Sequence, residues 1–301
     1  YADYTELLDR NDIDLVVVAT PSHLRVEVAK DLMEHGFNVL CEKPLAKTAD
    51  EVQMLIDTAK ENNTGFYIFQ QSRFAAFFTE IRKIIDSGKL GRIIQISISY
   101  SGFSRRWDWQ TVQAFNGGSL LNTGPHPMDQ ALQLFGEGDP DVKCFMDRVN
   151  TFGDAEDYVK VILSGEGKPI IDIEISSCQA YNPFTYNVMG SNGGLTATMD
   201  KINYKYFKTE ECEEQHLIKE PLDDADGEPA YCFEEIKWYE EEWKLDTEEF
   251  GTFSYMTGAF YDMLYSHITE GSELVVTPEQ VKKQIGVIEE CHRQNPLSKF
   301  A

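Results

Sequence analysis

Three short clusters in this sequence place reactive side chains where packing has little use for them. Glu42-Lys43-Pro44 follows directly on the apolar run Phe37–Cys41, so a carboxylate and an ammonium meet at the carboxyl end of a strand. That position suits a polar ligand better than a core. Ala19-Thr20-Pro21-Ser22-His23 follows another such run, Asp14–Ala19, and leads into a helix. Free amides and the helix dipole gather at that edge of a parallel sheet, where ligands bind. The alternative is a plain capped turn, and His23 by itself favours it. The third cluster is Gly117-Gly118-Ser119-Leu120-Leu121-Asn122-Thr123-Gly124-Pro125-His126-Pro127-Met128-Asp129. Asn122 and His126 are four apart, so on one helix they share a face. An imidazole can take a proton near neutral pH, whereas an amide can only hydrogen-bond. The competing reading of His126 is a satisfied core histidine; Asp129 reads as structural.

The elements that carry these clusters alternate in type. Tyr4–Arg10 predicts a short helix. Leu15-Val16-Val17-Val18 within Asp14–Ala19 predicts a strand buried on both faces of a parallel sheet. Pro21-Ser22 opens a helix with Leu24, Val28, Ala29 and Leu32 at helical spacing and Gly36 at its end. Phe37–Cys41 is the next strand. Thr48-Ala49-Asp50-Glu51 is a capping box for a helix carrying Val52, Leu55, Ile56 and Ala59, and Gly65–Phe69 is a third strand. Strand–helix–strand–helix–strand with short links demands parallel, right-handed crossovers, which is half of a doubly wound dinucleotide fold over residues 1–71.

Residues 72–301 predict a different architecture. Ala76–Ser87 is an amphipathic helix. Gly91–Tyr100 has period two, with Ile94, Ile96, Ile98 and Tyr100 on one face and Gln95, Ser97 and Ser99 on the other. Further strands are expected at Val142–Val149, Tyr158–Ser164, Ile170–Ser177 and Tyr186–Gly190, with a turn at Ser191-Asn192-Gly193-Gly194. Strands in succession make an open, mainly antiparallel sheet, so the fold class is α/β followed by α+β. Residues 201–249 are acidic with interspersed aromatics and give no clear elements. Helices at Phe250–Thr269 and Thr277–Arg293 close the chain, the second with Thr277, Pro278 and Gln280 as its start signal. That last helix is expected to pack back on the first domain.

Composition excludes several function classes. With 27 basic and 51 acidic residues the formal charge is −24, which argues against nucleic acid and anionic membrane surfaces as partners. The acidic runs Glu210–Glu214, Asp223–Glu228 and Glu234–Glu249 read as solvated faces. No apolar stretch is long enough for a membrane span, and Tyr1-Ala2-Asp3-Tyr4 does not begin a secretory signal. Six cysteines without a C-x-x-C pair suit reduced thiols in a cytoplasmic protein. There is no metal-ligand cluster, nucleophile elbow or phosphate loop.

A strand, Thr20-Pro21-Ser22-His23, a helix ending in Gly36, and then Val39-Leu40-Cys41-Glu42-Lys43-Pro44-Leu45-Ala46 together resemble the glucose-fructose oxidoreductase, inositol dehydrogenase and MocA family. Residues 117–129 are similar to that family's G-G-G-x-L-x-D-x-G-x-H-x-x-D segment, with Asn122 where an aspartate is usual. The resemblance implies an oxidoreductase using NAD or NADP on a secondary hydroxyl of a sugar, glycoside or cyclitol. It implies Lys43 and His126 as catalytic residues, Lys43 touching nicotinamide ribose and substrate hydroxyl, and Ala19, Thr20, Pro21, His23, Glu42 and Arg73 on the cofactor side. Pro44 is expected to follow a cis bond. A base must take the alcohol's proton while a cation stabilises the growing alkoxide, which fits imidazole and ammonium in turn. Asn122 can hold a hydroxyl but cannot relay a proton, which leaves His126 as the base on this helix. Tyr100, Arg106, Trp107, Trp109, Gln113 and Asn122 are the expected substrate side, with ordinary loop packing the alternative for the tryptophans.

The resemblance also implies a homodimer or homotetramer built through the open sheet face. Two other activities fit the same residues: an NAD-dependent glycosidase working by transient oxidation and elimination, and a non-catalytic dinucleotide-binding regulator. No strand followed by G-x-G-x-x-G occurs in the 301 residues, so two strand–helix units and a third strand, roughly 60 to 70 residues, are expected ahead of Tyr1. Without them the chain as given would bind no dinucleotide.

Overall fold

The computed structural model describes residues 3–246 and 252–300. Three parallel strands, β1 (Val16–Val18), β2 (Val39–Cys41) and β3 (Phe66–Ile68), lie in that order. Val18, Cys41 and Ile68 stand in register, so the three strands end level and deliver their following loops to one edge. Between them run α1 (Arg25–Glu34) and α2 (Ala49–Asn62). The capping box at Thr48 and Glu51 forms. Pro21-Ser22 opens a 3-10 turn, Ser22–Leu24, and only then α1. β1 departs from the expectation of burial on both faces: it is the edge of the three-stranded sheet, and among the described residues Val17 is left 48% exposed.

The second sheet has eight strands. After α3 (Ala76–Asp86) come β4 (Ile93–Ser101), α4 (Ser119–Asn122), α5 (Pro125–Phe135), β5 (Asp141–Asp147), β6 (Tyr158–Ser164), β7 (Ile170–Ser176), β8 (Tyr186–Gly190), β9 (Gly193–Ala197) and β10 (Lys201–Tyr206). A two-stranded hairpin, β11 (Leu222–Asp223) and β12 (Pro229–Ala230), precedes the last strand, β13 (Tyr239–Lys244). The spatial order is β13-β10-β9-β8-β4-β7-β6-β5. Only β4 and β7 run parallel, because α4 and α5 carry the chain across the sheet and the β5–β6–β7 meander returns it beside β4. Ile96 and Ile98 are buried as the period-two pattern demands, but Ile94 is 39% exposed. A register shift between Ile93 and Gln95 turns Ile94 outward and seats Ile93 against the core instead. The outer face is more charged than the Gln95, Ser97 and Ser99 stripe suggests, since Lys160 pairs there with Asp172 at 2.6 Å.

Two helices finish the chain. α6 is described from Thr252 to Glu270; Phe250 and Gly251, expected at its start, lie outside the described residues. α7 (Pro278–Gln294) carries its own capping box. It lies against α2, where Lys282 donates to Gln53 at 2.7 Å and Glu289 accepts the Ala49 amide at 2.9 Å. No helix among the described residues is long and apolar enough to cross a membrane.

Candidate active site

The level strand ends bring the first two clusters side by side. Arg25, at the first turn of α1, ties them together: its guanidinium donates to the Thr20 carbonyl at 3.0 Å and to the Pro44 carbonyl at 2.8 Å. Arg25 is 8% exposed and shares the buried register of Val28, Ala29 and Leu32. A cation in an apolar register at a helix start was the available signal for it, since the dipole there disfavours positive charge. Ala19, Pro21 and His23 are exposed, and the Thr20 hydroxyl is buried with no partner. The His23 ring lies 5.0 Å from Phe115, so this loop touches the second domain. Glu42 folds its carboxylate back onto the Lys43 amide at 3.1 Å. The Lys43–Pro44 bond is cis, as expected.

Asn122 and His126 are not on one unbroken helix. α4 ends at Asn122 and α5 begins at Pro125, because Pro125 and Pro127 lack the amide protons that would continue the ladder. Thr123 and Gly124 keep a right-handed turn between them, and a Cβ on Gly124 would stand 2.1 Å from the Leu120 carbonyl. Into this bend the Lys43 ammonium donates a hydrogen bond of 2.9 Å, to the Asn122 carbonyl. His126 follows one turn later, its Nδ1 buried and unpartnered. Burial, and then the Lys43 charge, drive the imidazole pKa down to about 3. Burial also lowers the Lys43 pKa, with Glu42 opposing and Arg25 adding to the effect. The ammonium from the sheet edge is thus near enough for its charge to reach the imidazole of the second domain, although neither residue lines the cavity beside the bend.

A cavity of about 280 Å³ opens beside this bend, lined among others by Arg106, Gln110, Ser119, Asn122, Thr123 and Glu156. The Asn122 amide donates to the Gln110 carbonyl at 2.7 Å and its Oδ1 is buried without a partner. Arg106 is held by Asp108 at 2.8 Å. Trp107 and Trp109 are 78% and 42% exposed and do not line the cavity; Trp107 packs edge-on against Phe152.

Three expected site residues turn out to serve the scaffold. Tyr100 points into the core of the second domain, where its hydroxyl and that of Tyr186 both donate to Gln130 Oε1. Its place in period two with Ile96 and Ile98 already put it on the buried face. Gln113 donates to the Leu297 carbonyl at 2.8 Å and accepts Lys47 at its own carbonyl, so it clamps loops together. Arg73 is 4% exposed and pairs with Asp129, both of its bonds to that carboxylate being buried, and it also reaches the Val275 carbonyl at 2.6 Å. It joins the end of β3 to α5 and to the segment before α7. Replacing Arg73 with leucine strands a buried carboxylate and should cost ~3–5 kcal/mol. Urea unfolding checks this, and Arg73→Leu/Asp129→Leu should recover much of the loss.

Glu156, just before β6, was not anticipated from the sequence, although an acidic pair, Glu156-Asp157, opening a buried strand was a visible oddity. Among the described residues no group of three His, Cys, Asp or Glu side chains could hold a metal ion.

Residues 1–69 match the model of the oxidoreductase family with an NAD-binding Rossmann fold, and residues 78–196 match the GFO/IDH/MocA C-terminal domain. The chain belongs to this family. An uncharacterized oxidoreductase of Schizosaccharomyces pombe is 34% identical over 45% of this chain, a match spanning only 37% of that protein. The uncharacterized oxidoreductase YhhX of Escherichia coli is 28% identical over 97% of this chain and 81% of its own length. The scyllo-inositol 2-dehydrogenase (NADP(+)) IolU of Bacillus subtilis is 28% identical, covering 83% and 76%. Among solved structures, the WlbA dehydrogenase from Bordetella pertussis in complex with NADH and UDP-GlcNAcA superimposes with a TM-score of 0.73 at 17% identity, over 98% of this chain and 80% of that one, which shows a shared fold.

Proposed function

We propose that this GFO/IDH/MocA member is a nicotinamide-dependent dehydrogenase acting on a secondary hydroxyl of a sugar, glycoside or cyclitol. The observation that carries the reading is the Lys43 ammonium seated on the Asn122 carbonyl, close enough to depress the pKa of His126. The name of IolU, a relative acting on a cyclitol, supports the substrate class.

The dinucleotide's nicotinamide end fits the level edge of β1 and β2. Thr20 there offers a buried hydroxyl in want of a partner, flanked by Pro21, His23, Glu42 and Lys43. The cofactor, when bound, supplies the acceptor or donor for hydride. The chain's own residues do the rest. Lys43 stabilises negative charge on the alcohol oxygen, and neutral His126 takes its proton; in reduction the same groups return it. Asn122 accepts a hydrogen bond from the substrate at Oδ1. Self-association through the outer face of the eight-stranded sheet belongs to the same proposal.

A panel of scyllo-inositol, glucose and a methyl glycoside, offered with NAD⁺ and with NADP⁺, tests it. The expected outcome is a polyol-dependent rise in the absorbance of reduced nicotinamide. Glycoside cleavage with no net change in cofactor would identify transient oxidation and elimination instead, and inertness towards every polyol would overturn the reading.

A further inference from the structure

The cavity beside Asn122 contains an acidic group that the mechanism above leaves unused. Glu156 is 1% exposed. Its Oε1 accepts the Leu120 amide at 3.0 Å and its backbone carbonyl accepts the Ser119 amide at 3.0 Å, which pins it under α4. A Cβ on Gly118 would lie 2.4 Å from both carboxylate oxygens, so the glycine, at φ +114°, is what allows this approach. The other oxygen, Oε2, is buried and has no partner. Asn122 Oδ1, on the same cavity, is in the same condition.

The charged and amide groups nearest to these two oxygens are already engaged. The Asn122 amide is engaged by Gln110, the Arg106 guanidinium by Asp108 and Gln110, and the Asp157 carboxylate by the amides of Val149, Asn150 and Thr151. Buried acceptors without donors are unfavourable, so the cavity is complementary to a ligand that brings O–H donors. One hydroxyl has one proton. Two orphaned acceptors call for two hydroxyls, besides the one whose proton goes to His126.

We propose that Glu156 is a specificity-determining residue, accepting a hydrogen bond from a substrate hydroxyl other than the one oxidised, so that polyols with at least three suitably placed hydroxyls are selected. This rests on the dehydrogenase reading above. Burial raises the Glu156 pKa to about 7, so the accepting, ionised form gains most from a substrate hydroxyl, and polyol binding should lower that pKa.

Glu156→Gln tests the assignment. The glutamine carbonyl can keep the Leu120 amide, while its NH₂ puts a donor where the substrate also offers one. With nicotinamide cofactor present, KM for the best polyol of the panel should rise at least tenfold and kcat should change less. One monodeoxy analogue should bind wild type and variant equally, because the hydroxyl that distinguishes them is gone. In wild-type protein labelled at its carboxyls, the resonance that titrates near neutrality should move on adding the polyol and stay still with that analogue, a readout independent of whether the variant folds. Unchanged KM throughout, or an equal rise for every analogue, overturns the role of Glu156 while leaving the dehydrogenase reading intact. Polyol binding that needs Glu156 but gives no turnover keeps this inference and removes that reading. A wild-type protein that binds no polyol overturns both.

Discussion

Replacing Lys43 with methionine should lower kcat/KM for polyol oxidation by about 10²–10³, with most of the loss in kcat. The ammonium sits where the sheet edge meets the α4–α5 bend, and among the described residues its hydrogen bond goes to the Asn122 carbonyl. A neutral alcohol gains little from a nearby cation, whereas the alkoxide forming as its proton leaves gains much. The interaction therefore belongs to the transition state, and its removal shows in kcat. Steady-state rates over the panel check this. Lys43→Arg should not rescue, since the planar guanidinium differs in shape from a point-like ammonium and this site is largely buried. Stability should hold or rise in the methionine variant: burial already lowers the Lys43 pKa, so the folded protein bears an unfavourable buried charge that methionine removes. A variant with full activity, or one that merely unfolds, would contradict the assignment.

The half of the fold that positions Lys43 was legible because its signals are local. The run Leu15–Val18, the capping box at Thr48 and the strand Gly65–Phe69 each announce their element within a few residues, and parallel handedness follows from the alternation. The acidic region was not. β10 and β13 pair along their whole length, with Lys201 opposite Lys244 and Tyr206 opposite Tyr239, but the partners are 33 to 43 positions apart and their charged, half-exposed faces mask the alternation. Ser191–Gly194 was legible as a turn, yet Gly193 and Gly194 also open β9. In the site, strand-end residues such as Thr20 and Lys43 could be placed from sequence, because a parallel sheet sends its loops to one edge. Residues placed by long-range partners could not. Arg73 looked like a ligand-facing cation after a strand, and only Asp129, fifty-six positions away, explains it. Glu156 stood out as an acidic residue opening a buried strand, but its role was unreadable for the same reason: it depends on Gly118 and Leu120, which reach it from another element.

Replacing His126 with glutamine should lower kcat by about 10²–10⁴, the usual worth of a positioned general base, and change the pH response in two linked ways. The folded imidazole has a pKa of about 3 against an ordinary 6.5. Between those values the unfolded chain binds a proton that the folded protein refuses, so the histidine's stabilising effect is present above pH 6.5 and is lost as pH falls towards 3. The slope is at most about 1.4 kcal/mol per pH unit, and the unfolding free energy of His126→Gln, from urea titrations, should vary less steeply with pH by up to that amount over this window. For catalysis, the free enzyme holds a neutral base throughout the neutral range, so the acid limb of kcat/KM that belongs to His126 should lie well below the ordinary histidine value. The Lys43 charge is the second cause of the depression, after burial. In Lys43→Met the His126 ring resonances should therefore titrate at a higher pH than in the wild type, without reaching 6.5. An imidazole that titrates identically in both proteins would show that the two groups do not face one another, and with that the shared site would be lost.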